Sequence, residues 1–151
     1  MSDERNRQLT VLLVEDDPND ALLVRRAFER GVGPTTLLHF GDGDSAIRYL
    51  AKEPPYDTRN DSPKPTIMLL DIKLPKRSGF DVLSWTRSQS NGLRRLPILM
   101  LTSSGQQADI DRAFELGATA YLRKPSRPQV LSEMVTDLKN FWVKWAEVPE
   151  I

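Results

Sequence analysis

The feature that most constrains this chain is an alternation. Short apolar runs recur along it: "LTVLLV" (9–14), "TTLLHF" (35–40), "TIMLL" (66–70), "PILML" (97–101) and "ATAYL" (118–122). Each has the length of a strand buried on both faces, as in a parallel sheet. Segments of helical length lie between them, with apolar residues at helical spacing. The first opens on Pro18, suited to a first helical turn, carries Ala21, Val24, Ala27 and Phe28, and is expected to stop at Gly31. The second covers about 44–52, with Ala46, Ile47 and Leu50 apolar. The third starts near Gly79 and carries Val82, Leu83 and Trp85. The fourth covers 106–116, with Ile110, Ala113 and Phe114 expected inward and Gly117 as its stop, and the last covers 127–146. Strand followed by helix, five times over, calls for a parallel sheet covered on both faces and wound by right-handed crossovers.

Composition narrows the function classes. A chain of 151 residues is long enough for a substantial core, and one domain is the expectation: a tail over 1–8, then a single domain over 9–151. Lysine plus arginine and aspartate plus glutamate both number 21, so a strongly basic nucleic-acid surface is not expected. The absence of cysteine excludes disulfides, thiolate catalysis and zinc ribbons. No apolar run approaches the ~20 residues of a membrane span, and the N-terminus lacks the apolar core of a signal peptide, so a cytoplasmic protein without membrane contact is expected. The proline-rich stretch "EPPYDTRNDSPKP" (53–65) reads as a surface connection.

In open parallel sheets, sites form at the carboxyl ends of the strands. The first strand delivers Glu15, Asp16 and Asp17, and the third delivers Asp71. The fourth delivers Thr102, Ser103 and Ser104, and the fifth Arg123, Lys124 and Pro125. Clustered carboxylates need a proton or a cation among them. An oxygen-only ligand set suits a hard dication, and magnesium fits best. Asp17, just before Pro18, also reads as a helix cap, but a cap leaves Asp16 and Asp71 unexplained.

Four motifs then carry a resemblance. "EDD" after the first strand, "LLDIKLPKRSG" around Asp71, "LTSS" after the fourth strand and "YLRKP" after the fifth resemble, in order, those of the receiver domain of two-component response regulators. The resemblance implies a flavodoxin-like (βα)5 fold with sheet order 2-1-3-4-5. It implies that Asp71 is the phosphoacceptor and that Asp16 and Asp17 hold magnesium with Asp71 and the backbone carbonyl of Lys73. It further implies that Thr102 and Lys124 contact the phosphoryl group, that Thr102 and Tyr121 form the switch, and that the Lys124–Pro125 bond is cis. Phosphate would come from a sensor histidine kinase. The long central loop and the "NFW" ending resemble stand-alone regulators paired with bacterial phytochrome kinases.

Output is expected through binding, with no direct nucleic-acid contact and no catalysis beyond the protein's own phosphorylation and dephosphorylation. Phe141, Trp142 and Trp145 on the last helix are expected to form a homodimer interface. A phosphorylation-independent adaptor or a relay that passes phosphate onward are the alternatives. A dehalogenase-type phosphatase would want an aspartate where Lys73 stands, and a flavin carrier would want a hydroxyl- and glycine-rich loop where the acids stand. His39, the only histidine, is expected to be structural.

Overall fold

In a computed structural model, residues 8–30, 33–57 and 64–151 are described. Gly31, residues 58–63 of the proline-rich connection and all but the last residue of the 1–8 tail lie outside them. The elements follow in the order β1 (Leu9–Val14), α1 (Pro18–Glu29), β2 (Thr35–Phe40), α2 (Gly43–Ala51), β3 (Ile67–Leu70) and α3 (Gly79–Arg87). A short 3₁₀ turn (Gly92–Arg95) precedes β4 (Ile98–Thr102), α4 (Gln107–Glu115), β5 (Ala120–Arg123) and α5 (Pro128–Lys144). All strand pairs are parallel, in the order β2-β1-β3-β4-β5.

The strand period of two splits the core into two layers. Leu12, Val14, Met68, Leu70, Ile98 and Met100 meet α2, α3 and α4 through Ala46, Leu50, Leu83 and Ala113. Val11, Leu13, Leu69, Leu99 and Leu101 meet α1 and α5 through Val24, Phe28, Leu131 and Val135. The inner strands β1, β3 and β4 are buried throughout, whereas the edge strands β2 and β5 are only partly covered. That difference explains why "TTLLHF" and "ATAYL" are the less apolar runs.

Two expectations about packing are corrected. Phe114 is 49% exposed, and Ala113 alone of α4 is buried. Successive helical residues are turned by roughly 100°, so a short helix that seats Ala113 against the sheet turns its neighbour toward solvent. Trp142, assigned to an interface by its sequence, is only 8% exposed and belongs to the α1/α5 layer, while Phe141 and Trp145 are 53% and 75% exposed. Beyond α5 the chain does not fray. Val148 packs on the α1/α5 layer and Ile151 on the opposite one, and the Glu150 and Ile151 carbonyls accept hydrogen bonds from Arg95 and Lys64.

Register is what positions the site. Val14 pairs with Leu70, so β1 and β3 end at one level, and Leu70 pairs with Met100, so β4 runs two residues further, to Thr102. The Asp71 N–H donates to the Val14 carbonyl at 3.1 Å, and the Lys124 N–H to the Thr102 carbonyl at 2.8 Å. Glycine allows α3 to start this close: a Cβ at Gly79 would lie 2.0 Å from the Asp71 carbonyl oxygen.

Candidate functional site

Asp71 leaves β3 with its side chain almost fully buried, its Oδ1 accepting the Ile72 N–H at 2.7 Å. Lys124, leaving β5, reaches back across the sheet ends. Its Nζ lies 2.9 Å from Asp71 Oδ2, 2.5 Å from Glu15 Oε1 and 3.0 Å from Asp20 Oδ2. One ammonium therefore ties together carboxylates from β1, α1 and β3. Above them opens a cleft of about 770 Å³ whose walls include Asp16, Asp17, Lys73, Thr102, Ser104 and Arg123.

The acids brought together are not quite the expected ones. Glu15, Asp16 and Asp71 each offer an oxygen within 4.8 Å of the others, a group able to hold a metal ion. Asp17, expected to pair with Asp16, caps α1 instead. Its Oδ1 accepts the N–H groups of Asn19 at 2.8 Å and Asp20 at 3.3 Å. Pro18 at the first helical position fixes the preceding residue as the N-cap, in extended conformation, and so turns Asp17 toward the helix. Glu15, named from the sequence among the strand-end acids, is the residue to which sequence reasoning gave no ligand role. The available signal was its place directly after the last apolar residue of β1, equivalent to that of Asp71 after β3. Asp20, one turn into α1, was also missed as a partner of Lys124.

Burial governs the electrostatics. It pushes the Glu15 carboxyl up to about 7, against the opposing pull of Lys124 and of the Asp17 N–H. Burial alone would lower the Lys124 ammonium, but its bonds to Glu15 and Asp71 win and hold it above the ordinary lysine range. An oxygen-only acid set, partly desolvated, is chemically suited to a hard divalent cation.

The remaining expected residues are placed as follows. Thr102 is buried at the end of β4, and Tyr121 on β5 donates its hydroxyl to the Ser104 carbonyl at 2.8 Å. Burial raises the Tyr121 phenol above its ordinary range. Ser104 in turn donates to Asp109 Oδ2 at 2.6 Å, which ties the loop after β4 to α4. His39 lies 2.7 Å through Nε2 from the Glu15 carbonyl oxygen, a contact to backbone. The Lys124–Pro125 bond, expected cis, is trans, the lower-energy form; the cis bond among the described residues is Pro54–Pro55.

Comparison with known proteins places this geometry. Residues 11–136 match the response regulator receiver domain family. Response regulator Rcp1 of Synechocystis sp. is 34% identical over 149 residues, spanning 99% of each chain. The crystal structure of the manganese-bound form of Rcp1 superposes with a TM-score of 0.86 at 31% identity, over 94% of this chain and 99% of that one. The phosphorylated cyanobacterial phytochrome response regulator RcpA superposes with a TM-score of 0.89 at 29% identity, over 95% and 100%.

Proposed function

Since the chain belongs to the response regulator receiver domain family, we propose that it takes a phosphoryl group onto Asp71 from a phosphohistidine of a sensor kinase. It then signals by a conformational change and protein–protein contact. One observation carries this reading: Asp71 is a buried carboxylate at a strand end, level with two further acids and in contact with a buried ammonium.

In the transfer, an Asp71 carboxylate oxygen forms the new bond to phosphorus while the phosphorus–nitrogen bond of the donor breaks and the imidazole leaves. Lys124 gives its ammonium to the phosphoryl oxygens, relinquishing part of its contact with Asp71. Thr102 offers its hydroxyl to the same oxygens from the β4 side. Glu15, Asp16, Asp71 and the Lys73 carbonyl are the ligands we assign to a divalent cation, magnesium. When bound, it supplies the positive charge that lets an anion approach these acids. Movement of Thr102 toward the phosphoryl group would draw on the loop that Tyr121 holds through Ser104, so the aromatic ring and the α4–β5–α5 surface respond together.

Two partners follow from this reading. RcpA is by name a phytochrome response regulator, and that supports a phytochrome-type kinase as the donor. Phe141, exposed on α5, and Trp145, exposed at its C-cap, support a homodimer, in which a two-fold axis would place the same patch on both subunits.

Labelling with acetyl phosphate and with a phosphorylated kinase tests the acceptor. Asp71→Asn, nearly isosteric, is expected to fold and to take no label. Persistent labelling of a folded Asp71→Asn protein would reject the assignment.

A further inference from the structure

The cleft over Asp71 contains a cation whose function the transfer chemistry above does not assign. Arg123 closes β5, in register with Thr102 of β4. It is exposed, yet it lines both the cleft over the acids and the adjoining depression formed with Asp20, Ser103 and Ser126. Lys124 is committed to three carboxylates, whereas Arg123 forms no ion pair among the described residues. Nor does it extend freely into solvent. Its guanidinium lies against the loop after β4, at Gly105: a Cβ there would stand 2.6 Å from Nη1, 2.7 Å from Cζ and 2.9 Å from Nε. Glycine at 105 thus leaves the space the guanidinium fills. Gly105 needs no left-handed backbone, and the atoms an alanine Cβ there would meet first are those of the arginine head.

From this placement we propose that Arg123 is a positioning residue that captures the phosphoryl oxygens of the incoming donor at the mouth of the cleft. The proposal rests on Asp71 being the acceptor. A phosphoryl group carries close to two negative charges and must pass Asp16, Asp17, Asp20 and Asp109 to reach Asp71. A cation that is unpaired and held at the rim offsets that repulsion before Lys124 is reached. The planar guanidinium fork presents parallel N–H donors to two phosphoryl oxygens at once, which an ammonium does not. Arg123 forms no bond and transfers no proton; the donor's phosphoryl group passes from it to the Asp71–Lys124 pair.

The test uses the whole chain, acetyl phosphate as donor, and the rate of Asp71 labelling against donor concentration in saturating magnesium. Arg123→Ala is expected to need roughly five- to tenfold more donor for half-maximal rate. Its rate at saturating donor should stay within about twofold of wild type. Gly105→Ala should shift in the same direction with Arg123 intact, Arg123→Lys should recover part of the loss, and added salt should bring wild type toward the variants. The magnesium midpoint for thermal stabilisation should not rise. Variants with the wild-type half-saturating concentration would overturn the proposal. So would a fall in the saturating rate alone, which is what mere support of the loop would give, or a raised magnesium midpoint. Wild type left unlabelled at Asp71 would overturn the acceptor reading and this one with it, whereas normal labelling with unaffected variants overturns only this one.

Discussion

At the scale of single residues, adjacent acids have separate tasks. Asp17 satisfies backbone donors of α1 while Glu15 and Asp16 face Asp71. Asp17→Ala is therefore expected to cost about 1 kcal/mol in urea unfolding while labelling of Asp71 persists. Asp16→Asn should instead weaken the thermal stabilisation by magnesium, which binds the folded state by mass action. Glu15 makes stability depend on pH. Its folded pKa of about 7 lies above the ordinary 4.5, so the folded chain holds an extra proton between those values. The associated stability is fully present below pH 4.5 and is lost as pH rises through 7. Lys124 titrates far above this window and contributes no slope there. Unfolding midpoints of the metal-free protein should fall between about pH 5 and 8, and Glu15→Gln should flatten that dependence; a flat wild-type profile would contradict it.

At the scale of elements, α5 is attached by more than its apolar stripe. Lys139, 1% exposed, extends from α5 under the end of α1, where its Nζ donates to the Phe28 carbonyl at 2.6 Å and the Arg30 carbonyl at 2.8 Å. These carbonyls lie at the carboxyl end of α1, where a cation also meets the negative pole of the helix. Burial lowers the Lys139 ammonium below its ordinary range, so the two acceptors offset only part of the desolvation. Lys139→Met is expected to lose roughly 1–3 kcal/mol, because the Phe28 carbonyl it served stays buried. The aromatics of the same helix divide along this line. Trp142→Ser should cost about 3 kcal/mol or more, as a large core deletion does. Trp145→Ser should leave unfolding of the monomer unchanged within about 0.5 kcal/mol. Equal losses for the two tryptophans would refute the assignment of one to the core and the other to the surface.

At the scale of the whole molecule, the proposed dimer is limited to what α5 leaves exposed. Phe141 and Trp145 are available and Trp142 is not. Phe141→Ser with Trp145→Ser is expected to give monomers by light scattering that still accept phosphate on Asp71. A truncation at residue 140 would not isolate the interface, because it removes Trp142 and Val143 from the core and Val148 and Ile151 from the two layers. If the wild type scatters as a monomer both with and without a phosphoryl mimic, the dimer is rejected. Among the described residues no helix is long and apolar enough to cross a membrane.

The alternation of short apolar runs and amphipathic segments was enough to determine a five-unit parallel α/β sheet, because burial on both faces requires strands apolar throughout and helices apolar on one stripe. It also located the site, since polar residues gather at the carboxyl ends of β1, β3, β4 and β5, which parallel pairing puts on one edge of the sheet. Asp71, Asp16, Thr102 and Lys124 were legible for that reason. Which neighbour of Asp16 faces Asp71 was decided by tertiary structure: the start of α1 at Pro18 takes Asp17 as its cap, and the level of β1 against β3 presents Glu15. The same holds for Lys139 and Trp142. A lysine and a tryptophan on an amphipathic helix look alike whether they meet solvent, a partner or the core. Only the packing of α5 beneath α1, nonlocal in sequence, puts one under the carbonyls of Phe28 and Arg30 and the other in the apolar layer.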